Sequence, residues 1–298
     1  MKSILSYPDR GQGGSNKYRG NCTPKLIEDL IRFYNWKDIS DYMCGSGTTQ
    51  DAANKLNITS HCYDLHMGFN LLDQEIPERN EAIFWHPPYW DLIRYSDNMY
   101  SSRNVLERYG IDPADADLSR CKTWDDFVKK MNYCCLKQYT SLEKGGRMAI
   151  LMGDIRRHGN LYSMLLNIAK PGSVENILIK VQHNCHSDRY VYTSKFIKIV
   201  HEYVLILRKD SALIYPVQMP VQYTQDIRDI KAATWKDVVA SIFEEYGNPL
   251  RLDQIYQAVE NYGRAKNKYW KEKVRQTLQL HKLFASEQRG VWRYTKAD

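Results

Sequence analysis

Asp41-Tyr42-Met43-Cys44-Gly45-Ser46-Gly47-Thr48-Thr49 directly follows the short segment Ile39-Ser40, which reads with it as the end of a strand. Two glycines within three residues let the backbone turn sharply and come close to a ligand, as happens past the end of a strand in an open α/β sheet. Asp41 opens this loop, and a second carboxylate, Asp64, ends the next strand candidate, His61-Cys62-Tyr63, 23 residues later. That is the spacing at which a carboxylate can accept hydrogen bonds from ribose hydroxyls. No Gly-Lys-Ser/Thr follows, which disfavours a phosphate-binding loop.

Working outward, Leu26, Ile27, Leu30, Ile31 and Tyr34 form a helical stripe opened by Thr23 as a cap with Pro24 in the first turn. The pattern then predicts a helix over 48–56, strands over 61–63 and 82–85, a helix over 123–142, a turn at 144–146, and a buried strand over 148–152. A helix over 161–169 and strands over 177–181 and 201–207 complete the alternation. Strands separated by helices predict a largely parallel sheet with helices on both faces. Residues 91–122 break this rhythm and read as a long polar loop, and Pro216 and Pro220 mark residues 215–230 as a linker.

His86-Pro87-Pro88-Tyr89 follows the apolar run Ala82-Ile83-Phe84-Trp85. Two prolines restrict the backbone and remove two amide donors, leaving carbonyl acceptors at the end of a buried strand. The tetrapeptide resembles the catalytic motif of DNA amino-methyltransferases, and the Asp41–Thr49 loop resembles their S-adenosylmethionine-binding loop, commonly written DPFCGSGTT. Tyr18-Arg19-Gly20-Asn21-Cys22-Thr23-Pro24 is similar to the element that closes over the methionine end of that cofactor. The strands at 145–156 and 201–209 resemble later strands of the same fold, so that the likeness covers about residues 7–209. It implies a Rossmann-like methyltransferase domain, residues 1–214, built on a mostly parallel seven-stranded sheet.

The resemblance implies S-adenosylmethionine as cofactor, held by Asn21, Thr23, Asp41, Cys44, Gly45, Ser46, Gly47, Thr48, Asp64 and Asn70, with Asp73 competing for the role of Asn70. It implies catalysis by His86, Pro87, Pro88 and Tyr89: the first side chain and the Pro87 carbonyl grip an exocyclic amine, and Tyr89 stacks on the base. The family usually has Asp, Asn or Ser where this chain has His86. A neutral imidazole can still accept through one ring nitrogen, whereas an imidazolium only donates. Activity is therefore expected to fall as His86 titrates on acidification. A duplex base must leave the stack to be reached, and Trp85, Tyr89, Trp90 and Tyr95 are candidate stacking surfaces.

Of the 42 Lys/Arg and 35 Asp/Glu, 13 and 8 lie in residues 231–298, a local excess of +5 within a net +7. Three short helices and a hairpin there resemble a winged helix-turn-helix, and a basic module favours a polyanionic partner. Double-stranded DNA is the expected partner. Arg94, Tyr95, Arg103, Arg120, Lys195, Lys271, Arg275 and Arg289 are the candidate contacts, with the loop 182–198 among the recognition elements. Seven scattered cysteines without a Cys-x-x-Cys pair argue against a disulfide framework and a zinc site. The lack of a long apolar run or a secretory leader predicts a cytoplasmic, nucleoid-associated protein and no membrane partner. A cognate restriction endonuclease and a homodimer are left open. The leading reading is methylation of adenine N6, with cytosine N4 close behind. An RNA enzyme of the tRNA guanine-amino type and a catalytically inactive DNA-binding regulator are the alternatives.

Overall fold

A computed structural model describes the chain except for residues 16, 184–194, 196 and 296–298. It divides into two compact units, Met1–Pro220 and Val221–Asp298. The strands of the first unit are β1 (Ile4–Ser6), β2 (Asp38–Asp41), β3 (Thr59–Cys62), β4 (Asn80–Trp85), β5 (Leu142–Met152), β6 (Asp154–Arg157), β7 (Asn160–Ser163), β8 (Lys170–Pro171), β9 (Ser173–Val181), β10 (His201–Arg208) and β11 (Val217–Gln218). Its helices are α1 (Pro24–Tyr34), α2 (Thr48–Lys55), α3 (Ser102–Tyr109), α4 (Pro113–Ala116), α5 (Trp124–Ser141) and α6 (Met164–Asn167).

Seven strands form one sheet in the order β1-β9-β10-β5-β4-β2-β3. Neighbours run parallel except at β10, which is antiparallel to both β5 and β9. This is the mostly parallel α/β architecture expected from the sequence. Strand residues alternate between the two faces: Ala82, Phe84, Ala149, Leu151, Val204 and Ile206 meet α1 and α2, whereas Ile83, Trp85, Met148, Ile150, Leu205 and Leu207 meet α5. Because both faces are covered, the central strands read as continuous apolar runs.

Several local expectations are corrected. The helix expected over 161–169 is instead the hairpin β6–β7 followed by the single turn α6. His158 and Gly159 both take positive φ at the hairpin tip, the geometry that closes tight hairpins, and Leu166 is 69% exposed, so the apolar spacing there marks no buried helix face. The turn expected at 144–146 lies within β5, where Gly145 and Gly146 exchange backbone hydrogen bonds with Lys209. Residues 91–122 are not a featureless loop: Ser101 caps α3, Asp112 caps α4, and Asp117 caps a 3-10 turn at Leu118–Arg120. The three residues of β1, too short to register as a periodic signal, add an unexpected edge strand beside β9.

Within the segment read as a linker, β11 pairs with β8 in the first unit. Arg228, in a 3-10 turn of the second, donates to the Ala258 carbonyl and lies 3.3 Å from the centroid of the Tyr262 ring. The second unit contains α7 (Trp235–Tyr246), β12 (Leu250–Arg251), α8 (Leu252–Glu260), α9 (Trp270–Leu280), β13 (Phe284–Gln288) and β14 (Val291–Tyr294). Thr234 and Asp237 form a capping box at the start of α7. Val238, Ile242, Phe243, Ile255, Val274 and Leu278 pack under a three-stranded sheet of order β12-β14-β13. Among the described residues no helix is long and apolar enough to cross a membrane.

Candidate active site

Because β2 and β4 are adjacent parallel strands, the glycine loop after Asp41 and the tetrapeptide after Trp85 leave the sheet at the same edge. Gly45 takes φ +51°, and a side chain there would run into the Tyr18 ring. Its amide donates to Asp64 Oδ2 at 2.9 Å, so the carboxylate that ends one strand region holds the turn that follows another. The loop then enters α2 through Gly47.

A cleft lies over this edge. Asn21, Asp41, Cys44, Gly45, Ser46, Thr48 and Asp64 line it, together with His86 and Pro88. Tyr18, Tyr95, Tyr100 and Asp117 complete the wall, so part of the stretch 91–122 serves the cleft rather than extending from it. Asp117 is locked in place, accepting from the Ser96 amide at 2.9 Å and from the Ser119 hydroxyl at 2.6 Å.

Asp41 is buried, with Oδ2 accepting from the Thr49 hydroxyl at 2.5 Å and Oδ1 from the Met43 amide at 3.0 Å. Burial pushes its carboxyl up to about 7 against those two hydrogen bonds, and repulsion from Asp64 adds to the rise. No described cation pairs with Asp41. A ligand carrying positive charge would supply what the wall lacks. The Thr48 hydroxyl, buried on the same wall without a hydrogen-bond partner, offers a further polar contact.

Three other sequence candidates stand elsewhere. Thr23 caps α1 and donates to the Arg10 carbonyl at 2.7 Å, and it lines a second cleft rather than the first. Asn70 accepts from the Leu72 amide, organising its own turn, and lines neither cleft; Asp73 is exposed.

The second cleft, with about 1350 Å³ of open space, shares Gly20, Asn21, Cys22, His86 and Tyr95 with the first. His86 is thus a common wall. Burial pushes its imidazole down to about 4, with Glu202 opposing and Lys180 reinforcing the shift. Tyr89 lines only the second cleft, and its hydroxyl donates to Glu202 Oε1 at 2.6 Å. Lys180 Nζ meets the other Glu202 oxygen at 2.6 Å. Sequence reading assigned no role to Lys180 or Glu202; a carboxylate next to the apolar run Tyr203–Leu207 was the available signal, since a buried charge needs a partner.

The stacking surfaces are corrected. Trp85 is fully buried in the core and donates to Met43 Sδ at 3.2 Å, while Trp90 donates to the Cys121 carbonyl and packs on Trp124 and Tyr162. Both rings serve packing. Tyr95 remains at the junction of the clefts, 5.7 Å from the Tyr18 ring. Pro87 is buried.

Of the candidate nucleic-acid contacts, Arg94 is exposed, Arg103 pairs with Glu107 at 2.6 Å, and Arg120 stands 3.6 Å from Asp97. Lys195 is exposed, whereas most of the loop 182–198, residues 184–194 and 196, lies outside the described residues. In the second unit the Lys271 ammonium stands over the Tyr256 and Trp270 rings, Arg275 pairs with Glu272 at 3.1 Å, and Arg289 is exposed between β13 and β14.

No family model and no curated protein matches the chain. Among solved structures it is similar to TrmN from Thermus thermophilus, at 16% identity over 64% of this chain and 50% of that one, with a TM-score of 0.34. It is also similar to a second Thermus thermophilus protein, complexed with S-adenosyl-L-methionine, at 15% identity over 70% of this chain and 66% of that one, with a TM-score of 0.29. A third is the methyltransferase subunit of a type I restriction-modification system from Streptococcus thermophilus, at 13% identity over 68% of this chain and 46% of that one, with a TM-score of 0.29. The chain spans about half to two thirds of the lengths of these proteins. The seven-stranded sheet, with its single antiparallel strand, is a Rossmann-like α/β core.

Proposed function

We propose that this chain transfers a methyl group from S-adenosylmethionine to the exocyclic amine of a base flipped out of double-stranded DNA, adenine N6 being favoured and cytosine N4 close behind. The observation that carries the reading is the position of His86, between an acidic cleft suited to a cationic cofactor and a second cleft able to receive a base. When bound, the cofactor supplies a methyl carbon activated by a sulfonium leaving group. Asp41 and Thr48 hold its polar end, and Asp64 acts mainly by fixing Gly45. His86 grips the amine. An aromatic amine delocalises its lone pair into the ring, and an acceptor on its hydrogen favours the pyramidal nitrogen that attacks in line. The proton that the nitrogen sheds on methylation would pass to His86 and from there to solvent.

The second unit supports a nucleic-acid partner through its element order of helix, strand, two helices and hairpin, which we read as a winged helix. Labelled cofactor incubated with duplex DNA or with tRNA tests the assignment. Label should enter DNA and digestion should yield methyladenine or methylcytosine; label in tRNA alone, or cofactor binding without any product, would remove the DNA reading. Replacing Lys271 and Arg289 together by alanine should weaken DNA binding evenly across sequences and lower the slope of log affinity against log salt by about 2, one unit for each lost phosphate contact. An unchanged slope takes both residues out of the interface.

A further inference from the structure

We propose that Tyr89 and Glu202 are positioning residues that hold His86 in the tautomer protonated at Nε2, so that the bare Nδ1 is the acceptor presented to the substrate amine. This rests on the function proposed above. It concerns how a histidine takes over a position at which the resembled motif carries Asp, Asn or Ser.

The direction of the relay follows from its far end. Glu202 is only 7% exposed, yet its Oε2 meets Lys180 Nζ at 2.6 Å, which keeps it a carboxylate, with its carboxyl held below the usual range despite burial. A carboxylate only accepts. The single Tyr89 hydroxyl proton is therefore spent on Glu202 Oε1, at 2.6 Å. Toward His86 the same oxygen can only accept, and His86 Nε2 lies 3.0 Å away. The Nε2 nitrogen must then carry the hydrogen, and a neutral imidazole has only one.

Nδ1 is left with its lone pair. No described residue hydrogen-bonds to it, and His86 lines both clefts. The relay is also sterically fitted. Gly153 lies against the Tyr89 ring, and a Cβ there would come within 2.6 Å of it.

The test is nitrogen NMR of the full chain carrying ring-labelled histidine, the His86 signals being assigned by their loss in His86→Gln. Wild type should show a protonated Nε2 and a bare Nδ1. In Glu202→Gln the side-chain carbonyl stays with Lys180 and the amide turns its N–H toward Tyr89, which reverses the relay and moves the hydrogen to Nδ1. Methyl transfer should then slow at least tenfold at saturating cofactor, with cofactor affinity unchanged. Tyr89→Phe, which removes one oxygen, should yield a mixture of tautomers and a smaller loss of rate. A protonated Nδ1 in wild type, or a tautomer unaltered in both variants, overturns the proposal. The spectra read the ring without turnover, so absence of methyl transfer to any nucleic acid would count against the proposed function and leave the relay to be decided by the nitrogen signals.

Discussion

His86→Ala should slow methyl transfer by about a hundredfold or more while leaving the cofactor dissociation constant unchanged, the size of loss typical when a positioned acid–base group is removed. The ring is one wall of the cofactor cleft, but the buried carboxylate and the unpartnered hydroxyl that suit a cationic ligand belong to Asp41 and Thr48. Single-turnover rates and equilibrium cofactor binding on the same preparation separate the two effects. Equal loss of both would contradict the division of roles. The structure also moves the expected acid limb. An ordinary histidine would lose its acceptor on mild acidification, whereas burial holds His86 near 4 and keeps it neutral. At saturating cofactor, turnover should stay flat from pH 8 to well below 6; a midpoint near 6.5 would show that the ring is not buried as described.

Cofactor affinity, in contrast, should depend on pH through Asp41. Its carboxyl titrates near 7, so its charged form is the minor species in mild acid. If the ionised form is the one that binds, apparent affinity falls by about tenfold between pH 8 and pH 6, as the competent fraction shrinks. Asp41→Asn should abolish that dependence and weaken binding at pH 8 by about one to two orders of magnitude, the scale of a lost charge-assisted hydrogen bond in a buried site. Titration calorimetry at three pH values decides it. A pH-independent dissociation constant in the wild type would mean that Asp41 does not meet the cation. The two predictions are separable because one acts on turnover at saturation and the other on binding.

Much of this molecule could be read from its sequence. The stripe after Thr23, the strand before Gly45 and the apolar run ending at Trp85 each obey a local rule, and local rules need no knowledge of distant residues. Hence the alternation of the first unit, the glycine loop opened by Asp41 and the strand end before the tetrapeptide were all legible. What failed lay where local signals conflict with context. The stretch 161–169 reads as a helix, but Leu161 sits on a hairpin and Leu166 on a single exposed turn, and residues 91–122 are polar yet wall the cleft with Tyr95, Tyr100 and Asp117.

The sequence by itself determined that a glycine loop and a Pro-Pro tetrapeptide each follow the end of a strand, because backbone turns and strand ends are encoded by the residues that form them. Only the tertiary structure decided what His86 is. Its neutrality comes from burial, and its hydrogen is placed by a carboxylate that lies 113 residues beyond Tyr89 and is fixed in turn by Lys180 on the adjacent antiparallel strand. A tautomer is set by partners within hydrogen-bond reach, and that proximity exists only once the sheet has formed.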